Sequence, residues 1–194
     1  MSTCQKITSN ILYTCQQMVA GIKDKAYLIN IDDIDKDNCS FDADNPLLLT
    51  ELVLKTGGSA YYIEGHNYSN EHDTALVKST YYNSWEHNFI FRIFDNTPDV
   101  KEWIKDITEA RFAIVIENLY SSASSPAGQS VFEVLGWDYG LEVKECTRVA
   151  ADAELAGGWK LTAGCSDTLK ESKPPLAFFY TSVAATRSAL EELL

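Results

Sequence analysis

The chain has 194 residues, 45% of them hydrophobic, and its 28 acidic and 16 basic residues give a net charge of −12. This length suits one compact domain, and we expect a single domain over residues 1–194. The acidic balance excludes general nucleic-acid binding, because phosphate recognition relies on Lys and Arg. No segment is apolar enough for a signal peptide or a membrane span, which predicts a cytoplasmic protein without a membrane partner.

The first predicted element is a strand, AYLINI, at residues 26–31, and an acidic loop follows it. Four aspartates of this loop have part of the spacing of an EF-hand calcium loop. Against that interpretation, Asn38 stands at the sixth position, where glycine is usual, and a strand precedes the loop where a helix is required. We therefore assign no metal and keep a calcium site only as an alternative to a solvated acidic loop. The four aspartates are Asp33, Asp35, Asp37 and Asp44.

The next segment, PLLLTELVLKTGGSAYYIEG, predicts a β-hairpin, because Gly57 and Gly58 can supply the positive φ angles of a type I′ turn. A long polar segment, residues 65–88, follows it. Loops of this length are uncommon unless they have a function. The segment FIFRIFD, residues 89–95, then alternates apolar side chains on both faces, which predicts a strand.

The clearest predicted helix covers residues 97–110. Thr97 can cap its N-terminus, and Pro98 suits the first turn. Spacings of i, i+3, i+4 and i+7 give the helix one apolar stripe that should pack on a sheet. Residues 111–120 then predict a strand, and residues 121–128 predict a loop of small side chains. The stripe consists of Val100, Trp103, Ile104 and Ile107.

The segment SVFEVLGWDYGLEV, residues 130–143, has the alternation of one strand with two apolar faces. An ordinary half-solvated strand keeps one face polar, so both faces of this one should be covered. The cover can be a second sheet, a helix or another subunit. One face carries Leu135, Trp137, Tyr139 and Leu141, and the other carries Phe132 and Val134.

The remaining sequence predicts two strands, in GGWKLTAG and PPLAFFYT, and a C-terminal helix over residues 182–194. Seven or eight strands with one internal and one C-terminal helix predict a mainly-β fold, a β-sandwich or barrel with helical additions. The apolar side of the last helix should dock on the sheet. That side carries Val183, Leu190, Leu193 and Leu194.

No motif in the sequence predicts catalysis. The phosphate-loop, dinucleotide, nucleophile-elbow and zinc-protease patterns are absent, and no carboxylate pair stands out as acid and base. Three histidines, His66, His72 and His87, fall in or beside the polar segment, where a metal site is the alternative to a solvated loop. The five cysteines form no C-x-x-C pair and predict reduced thiols. They are Cys4, Cys15, Cys39, Cys146 and Cys165. We therefore expect no enzyme, no catalytic residue and no cofactor.

The order of elements and three motifs resemble the major tail tube proteins of tailed bacteriophages. The first motif is Phe132-Glu133-Val134 with Gly136 and Gly140-Leu141-Glu142. The second is AADAE at residues 150–154 with GGW at residues 157–159, and the third is PPLAFF at residues 174–179. The resemblance covers most of the chain.

This resemblance implies a structural virion protein with a tail-tube-like domain. Such proteins form hexameric rings whose sheets join edge to edge, and the rings stack into a tube that conducts DNA from the capsid to the cell. Six copies of this acidic chain would make a negative lumen through which DNA passes without specific binding. The implied partners are further copies of the chain and the tape-measure, terminator or connector, and baseplate or tip proteins. The implied location is the virion tail, assembled in the cytoplasm of a bacterial host.

The resemblance also assigns two surfaces. The segment 65–88 would reach an adjacent ring through its aromatic residues, unless it folds back with Trp85 in its own core. The segment 130–143 would contact the neighbouring subunit, which would be the cover of its second face. The inter-ring residues would be Tyr68, Tyr81, Tyr82 and Trp85, and the inter-subunit residues Phe132, Val134, Trp137, Tyr139 and Leu141.

Two other functions stay open at the level of sequence. One is the tube protein of a contractile or secretion-like injection system, which shares the ring architecture. The other is a soluble calcium-dependent β-sandwich binding module, for which the acidic loop is the supporting feature.

Overall fold

Eleven strands and two α-helices make up the fold in residues 19–120 and 128–194, the part of the chain that the computed structural model describes. This confirms the predicted mainly-β class with one internal and one C-terminal helix. The strands are β1 (Ile22–Asn30), β2 (Ser40–Phe41), β3 (Leu48–Glu51), β4 (Ala60–Glu64), β5 (Glu71–Lys78), β6 (Asn83–Ile93), β7 (Phe112–Asn118), β8 (Phe132–Leu135), β9 (Leu141–Arg148), β10 (Trp159–Cys165) and β11 (Leu176–Phe178). The helices are α1 (Pro98–Glu109) and α2 (Val183–Glu191).

The eleven strands form one continuous hydrogen-bonded sheet, whose two halves meet at one corner and are called here the first and the second sheet. The first sheet has the order β4-β1-β7-β8-β11-β3-β2, and β7 lies at its centre with β1 on one edge and β8 on the other. The second sheet has the order β9-β10-β6-β5. The two sheets join where Leu141, at the start of β9, pairs with Phe112, at the start of β7. Only β11 and β3 pair in parallel within the described residues, so the sheet is mixed.

Apolar side chains cover both faces of the first sheet. Successive residues of a strand point to opposite faces, so neighbours in β1 and β7 enter different cores. Leu28 and Ile114 pack between the two sheets, in a core that α1 also contacts. Ile29 and Val115 pack on the other face, in a core that includes Leu190 of α2. This double cover explains the uninterrupted apolar run of β7.

The helix α1 follows the predicted stripe but not the predicted cap. Ile104 and Ile107 are buried, and Trp103 packs against the same core. The side chain of Thr97 does not cap the helix. Instead, Oδ1 of Asp95 accepts the N–H group of Thr97 at 3.1 Å. The carboxylate of Asp95 thus binds the chain just before the helix begins.

The predicted hairpin around Gly57 and Gly58 is wrong. The strand β3 lies between β2 and β11, whereas β4 pairs with β1. Of the two glycines, only Gly57 has a positive φ, of 88°, and a type I′ turn needs two such residues. The connection between β3 and β4 instead forms a single bridge, from Leu54 to Ile34.

The helix α2 docks on the second core as predicted, apart from its last residue. Ser182 caps the helix by accepting the N–H group of Ala185 at 3.1 Å, and Leu190 is fully buried. Val183 and Leu193 pack against the same core. Leu194 is exposed, because the helix ends at Glu191 and the chain no longer follows the helical stripe.

A nearly buried carboxylate fastens α2 to the centre of the first sheet. Glu117 of β7 accepts hydrogen bonds from Nη2 and Nε of Arg187 at 2.5 and 3.2 Å. The ammonium group of Lys23 lies 2.7 Å from the same carboxylate. Burial alone would raise the pKa of Glu117, but the bonds from Arg187 and Lys23 hold it below its ordinary value.

Replacing Arg187 with methionine should lower the free energy of unfolding by about 1–2 kcal/mol. Breaking a buried ion pair costs about 3–5 kcal/mol, but Arg187 is partly exposed and Lys23 still neutralises the carboxylate. Urea unfolding followed by circular dichroism measures the difference. Lys23→Met is the matched control and should cost less than half as much. Equal losses from the two variants would contradict this account of how α2 is held.

The described cysteines are free thiols. Cys165 is buried, and Cys39 and Cys146 are half-buried. Cys4 and Cys15 lie outside the described residues, as does most of the small-residue loop predicted at residues 121–128.

Candidate assembly surfaces

The polar segment at residues 65–88 is mainly a β-hairpin and not an irregular loop. β5 and β6 pair without a break from Glu71 and Ile90 to Lys78 and Asn83. The short loop before β5 is tied to the body of the fold, because the amide of Asn70 donates to the carbonyl oxygen of Asp24 at 2.6 Å. Exposed and half-buried residues alternate along most of β5, which is typical of an edge strand, but its sequence, EHDTALVK, has no such alternation. The four polar residues at its start therefore concealed the strand.

The distal end of this hairpin extends beyond its neighbours in the sheet. β10 pairs with β6 from Asn88 onward, and Glu171 bridges to Trp85. Among the described residues, the part of β6 before Trp85 pairs with β5 alone. We call residues 77–84 the hairpin tip. Its turn closes with the N–H group of Ser79 donating to the carbonyl oxygen of Tyr82 at 3.0 Å.

The structure separates the four predicted inter-ring residues into three environments. Tyr81 and Tyr82 lie together in the hairpin tip, with 92% and 65% of their surface exposed. Tyr68 is also exposed but precedes β5, so the length of that strand separates it from the tip. Trp85 is half-buried, and its backbone exchanges two hydrogen bonds with Glu171, at 2.8 and 3.0 Å. Of these four residues, only Tyr81 and Tyr82 therefore form a shared exposed aromatic surface.

The segment 130–143 is two strands and not one. β8 ends at Leu135 and β9 begins at Leu141, with a turn between them. Gly136 and Gly140 have φ angles of 71° and 78°, which residues with a side chain rarely adopt. A Cβ atom on Gly136 would also lie 2.8 Å from Cγ of Leu141. The two glycines thus mark the turn that the continuous alternation concealed.

The prediction that a neighbouring subunit covers this segment is wrong for most of its residues. Phe132, Val134 and Leu141 are buried by the chain's own cores, and both edges of β8 are already paired. Trp137 packs edge-on against Phe41 with 5.6 Å between the ring centroids. The second face of β8 is covered by the core beneath α2, which alternation alone cannot distinguish from a subunit contact. Of the five predicted residues, Tyr139 alone is exposed.

Two buried polar side chains hold the turn between β8 and β9. Nδ1 of His87 accepts the N–H group of Gly136 at 3.2 Å, so Nε2 carries the proton and donates to the carbonyl oxygen of Lys173 at 3.1 Å. The carboxylate of Glu171 accepts the N–H groups of Asp138 and Tyr139 at 2.7 and 3.1 Å. We call His87, Glu171 and the residues 136–140 that they bind the turn lock.

Burial shifts the pKa of both residues in the direction that favours the uncharged form, downward for His87 and upward for Glu171. The pKa of His87 is lowered from 6.5 to about 4, because removal from water disfavours the imidazolium ion. The pKa of Glu171 is raised by burial, although the N–H groups of Asp138 and Tyr139 partly stabilise its charge. Sequence analysis missed both roles. For His87 a signal existed, because it alternates with Phe89 and Phe91, which are buried.

The turn lock has no geometry for catalysis. Both ring nitrogens of His87 are occupied by backbone groups. The neighbouring thiol of Cys165 accepts the backbone N–H group of His87 at 3.3 Å, is fully buried, and has a pKa raised by that burial. A protonated, enclosed thiol is a poor nucleophile. The enclosed cluster is therefore suited to holding the chain and not to binding a substrate.

The acidic loop does not have the geometry of an EF-hand calcium loop. A short 3₁₀ turn, Ile31–Asp33, and the bridge at Ile34 replace the converging geometry of an EF-hand loop. Within residues 19–120 and 128–194, no three His, Cys, Asp or Glu side chains come close enough to hold a metal ion. The carboxylates of Asp33 and Asp35 accept the side-chain amides of Asn30 and Asn38 at 3.0 and 2.7 Å. The other two predicted ligands, Asp37 and Asp44, are exposed.

The histidines do not form the alternative metal site either. His87 belongs to the turn lock, and His66 contacts the amide of Asn67 at 2.8 Å. Nε2 of His72 lies 3.9 Å from the carboxylate of Glu133, on a different part of the sheet. The three rings therefore do not converge.

In the described part of the chain, β4 and β5 each lie at one end of a sheet and have one edge that no strand pairs, as does β9 beyond Leu141. Among the described residues, β4 pairs only with β1, and β5 pairs only with β6. The edge of β5 carries Glu71, Asp73 and Lys78, which protect it from unwanted pairing. β4 carries Tyr61 and Tyr62, both more than half exposed, and its only acidic residue stands at its end. These edges and the hairpin tip are the candidate assembly surfaces.

The chain matches no family model, no curated protein and no solved structure. No helix in the described part of the chain combines the length and the hydropathy needed to cross a membrane.

Proposed function

We propose that this protein is a structural subunit of a phage-type tail tube, which forms hexameric rings that stack into a conduit for DNA. The observation that carries the proposal is the hairpin tip, where Tyr81 and Tyr82 project into solvent without a partner in their own core. Aromatic side chains are enriched in the centres of protein interfaces, where they supply large contact areas. An extended hairpin that ends in two such residues is suited to reach a second copy of the chain.

The two open sheet edges support the ring in this proposal. Edge strands expose unpaired N–H and carbonyl groups, and closing strands around a ring satisfies them. A contact between the edge of β4 in one copy and a different edge in the next would be heterologous, and such contacts close into a ring when the rotation allows. β4 and β5 belong to different sheets, so one copy offers two distinct edges.

The charge of the chain suits a conduit. Each copy has a net charge of −12, and a negative wall repels DNA so that it slides without binding. In this role the protein belongs to the virion tail after assembly in a bacterial cytoplasm. Its partners would be further copies, a tape-measure protein inside the tube, and terminator or connector and baseplate or tip proteins at its ends.

Replacing both Tyr81 and Tyr82 with serine should prevent stacking while the chain stays folded. The two side chains contribute little to either core, so the free energy of unfolding should change by less than about 0.5 kcal/mol. Negative-stain electron microscopy and light scattering after size-exclusion chromatography detect rings and tubes. Tyr180→Ser removes another half-exposed tyrosine and is the matched control. Tubes formed by the double variant would contradict the assignment, and a wild-type protein that stays monomeric at millimolar concentration would contradict the function.

A further inference from the structure

A groove of about 300 Å³ lies between α1 and the edge strand β4. Its deepest residues, Leu28, Ile107 and Phe112, belong to the core between the sheets and are 2–7% exposed. This volume is at the lower end of ligand pockets, which span about 300–1,000 Å³. The α1–β4 groove can therefore hold one aromatic ring but not a large ligand.

The upper part of the groove is aromatic and acidic. Tyr61 of β4 and Trp103 of α1 flank it, and the exposed carboxylate of Asp106 lies at its rim. Aromatic rings prefer edge-to-face or offset contacts with other rings, and a phenol can donate its O–H group to a carboxylate. The chemistry of the α1–β4 groove therefore suits a tyrosine side chain.

The hairpin tip carries the matching groups. Tyr81 is more exposed than any other large apolar or aromatic side chain in the described residues, so it does not occupy the groove of its own copy. Lys78 is the only charged residue between positions 76 and 84, which makes the tip cationic. α1 has four acidic and two basic residues, which makes the side of the groove anionic. Opposite charges at the rim of an interface guide the orientation of the two partners.

We infer that the hairpin tip of one copy inserts Tyr81 into the α1–β4 groove of a second copy, with Lys78 facing the acidic side of α1. The contact joins two different surfaces of the same chain, so it is heterologous and can repeat from copy to copy. It rests on the proposed function because it supplies the receiving site for the hairpin. A buried aromatic ring in a closed pocket is the usual form of an interface hot spot.

Two complementary variants of the full chain test this inference. The tip variant carries Tyr81→Ser and Tyr82→Ser, and the groove variant carries Ala110→Trp, which fills the groove beside Ile107. Each variant alone should associate about 30-fold more weakly than the wild type or worse. Each variant keeps the sheet edges that close the ring. Mixed in equal amounts, rings of one variant should therefore pair with rings of the other into double rings and no taller stacks, because only one intact set of tips and one intact set of grooves can meet. Light scattering measures these masses, and Lys101→Trp on the exposed side of α1 is the control.

A photo-cross-link decides the case if Ala110→Trp does not fold. The full chain with benzoylphenylalanine at position 81 should cross-link to a second copy at Trp103, Ile107 or Tyr61, as mapped by mass spectrometry. Rings or tubes whose cross-links map elsewhere, or rings of the two variants that do not pair while the wild-type rings stack, would overturn the inference and leave the proposed function standing. A wild-type chain that neither assembles nor cross-links between copies would overturn both.

Discussion

Replacing Glu171 with alanine is expected to lower the free energy of unfolding by about 3 kcal/mol. Glu171 is 2% exposed and accepts the N–H groups of Asp138 and Tyr139. Alanine would leave these two donors without their acceptor, and each buried unsatisfied group costs about 1–3 kcal/mol. The turn lock would then open at the side where the chain passes from β8 to β9, between the two sheets.

Glu171→Gln is the matched control for this loss. Glutamine keeps the size of the side chain and one carbonyl oxygen, but it presents an N–H₂ group to the second donor. Because burial already raises the pKa of Glu171, loss of its charge is a small part of the cost. We expect a loss of about 1 kcal/mol for glutamine. Urea unfolding followed by the fluorescence of Trp85 and Trp137 measures both, and equal losses from the two variants would show that the two hydrogen bonds do not hold the turn.

The elements with a local sequence signal were predictable. α1 has its apolar stripe within a single segment, and Ile104 and Ile107 are buried as that spacing requires. β7 has a continuous apolar run, which matches a central strand covered on both faces. The fold class follows from such segments because each specifies its own period and its own buried side.

The pairing of strands was not predictable from local signals. The glycines at positions 57 and 58 are typical of a hairpin, but β3 pairs in parallel with β11, more than a hundred residues later in the sequence. In the segment 130–143 the alternation continues through a turn, so the period alone does not reveal the break. The available signal in the sequence was the pair of glycines, Gly136 and Gly140, four residues apart. Both have positive φ angles in the structure. Long-range contacts decided both cases, and a window of ten residues does not contain them.

The candidate surfaces were predictable in part. Tyr81 and Tyr82 stood in a long polar segment, which drew attention to them, but their exposure depends on where β10 stops pairing with β6. The α1–β4 groove joins residues from β1, β4 and α1, so no single stretch of sequence predicts it. Glu171 stands among polar residues and has no apolar alternation to indicate that it is buried. Its role depends on the fold that surrounds it.

Acid should destabilise the protein through His87, with most of the loss between pH 6.5 and pH 4. The pKa of His87 is about 4 in the folded chain and 6.5 as its ordinary value, so the unfolded chain takes up a proton in this range that the folded chain does not. Stability is therefore complete above pH 6.5 and falls as the pH falls. The difference of pKa corresponds to a loss of about 3 kcal/mol from this residue. Protonation would also place an N–H group of the ring against the N–H group of Gly136.

His87→Asn isolates this effect, because asparagine keeps an acceptor near Gly136 but does not titrate. The variant should be less stable than the wild type at pH 7.5, since a smaller side chain leaves a cavity, and the gap between the two should shrink by about 3 kcal/mol at pH 4. Glu171 acts in the opposite direction: its raised pKa adds stability below pH 4.5 that is lost as the pH rises through its folded value. Both proteins retain Glu171, so its contribution cancels in the comparison. Urea unfolding at five pH values between 4 and 8 gives the two curves, and parallel curves would mean that His87 takes up its proton as readily in the folded chain as in the unfolded one.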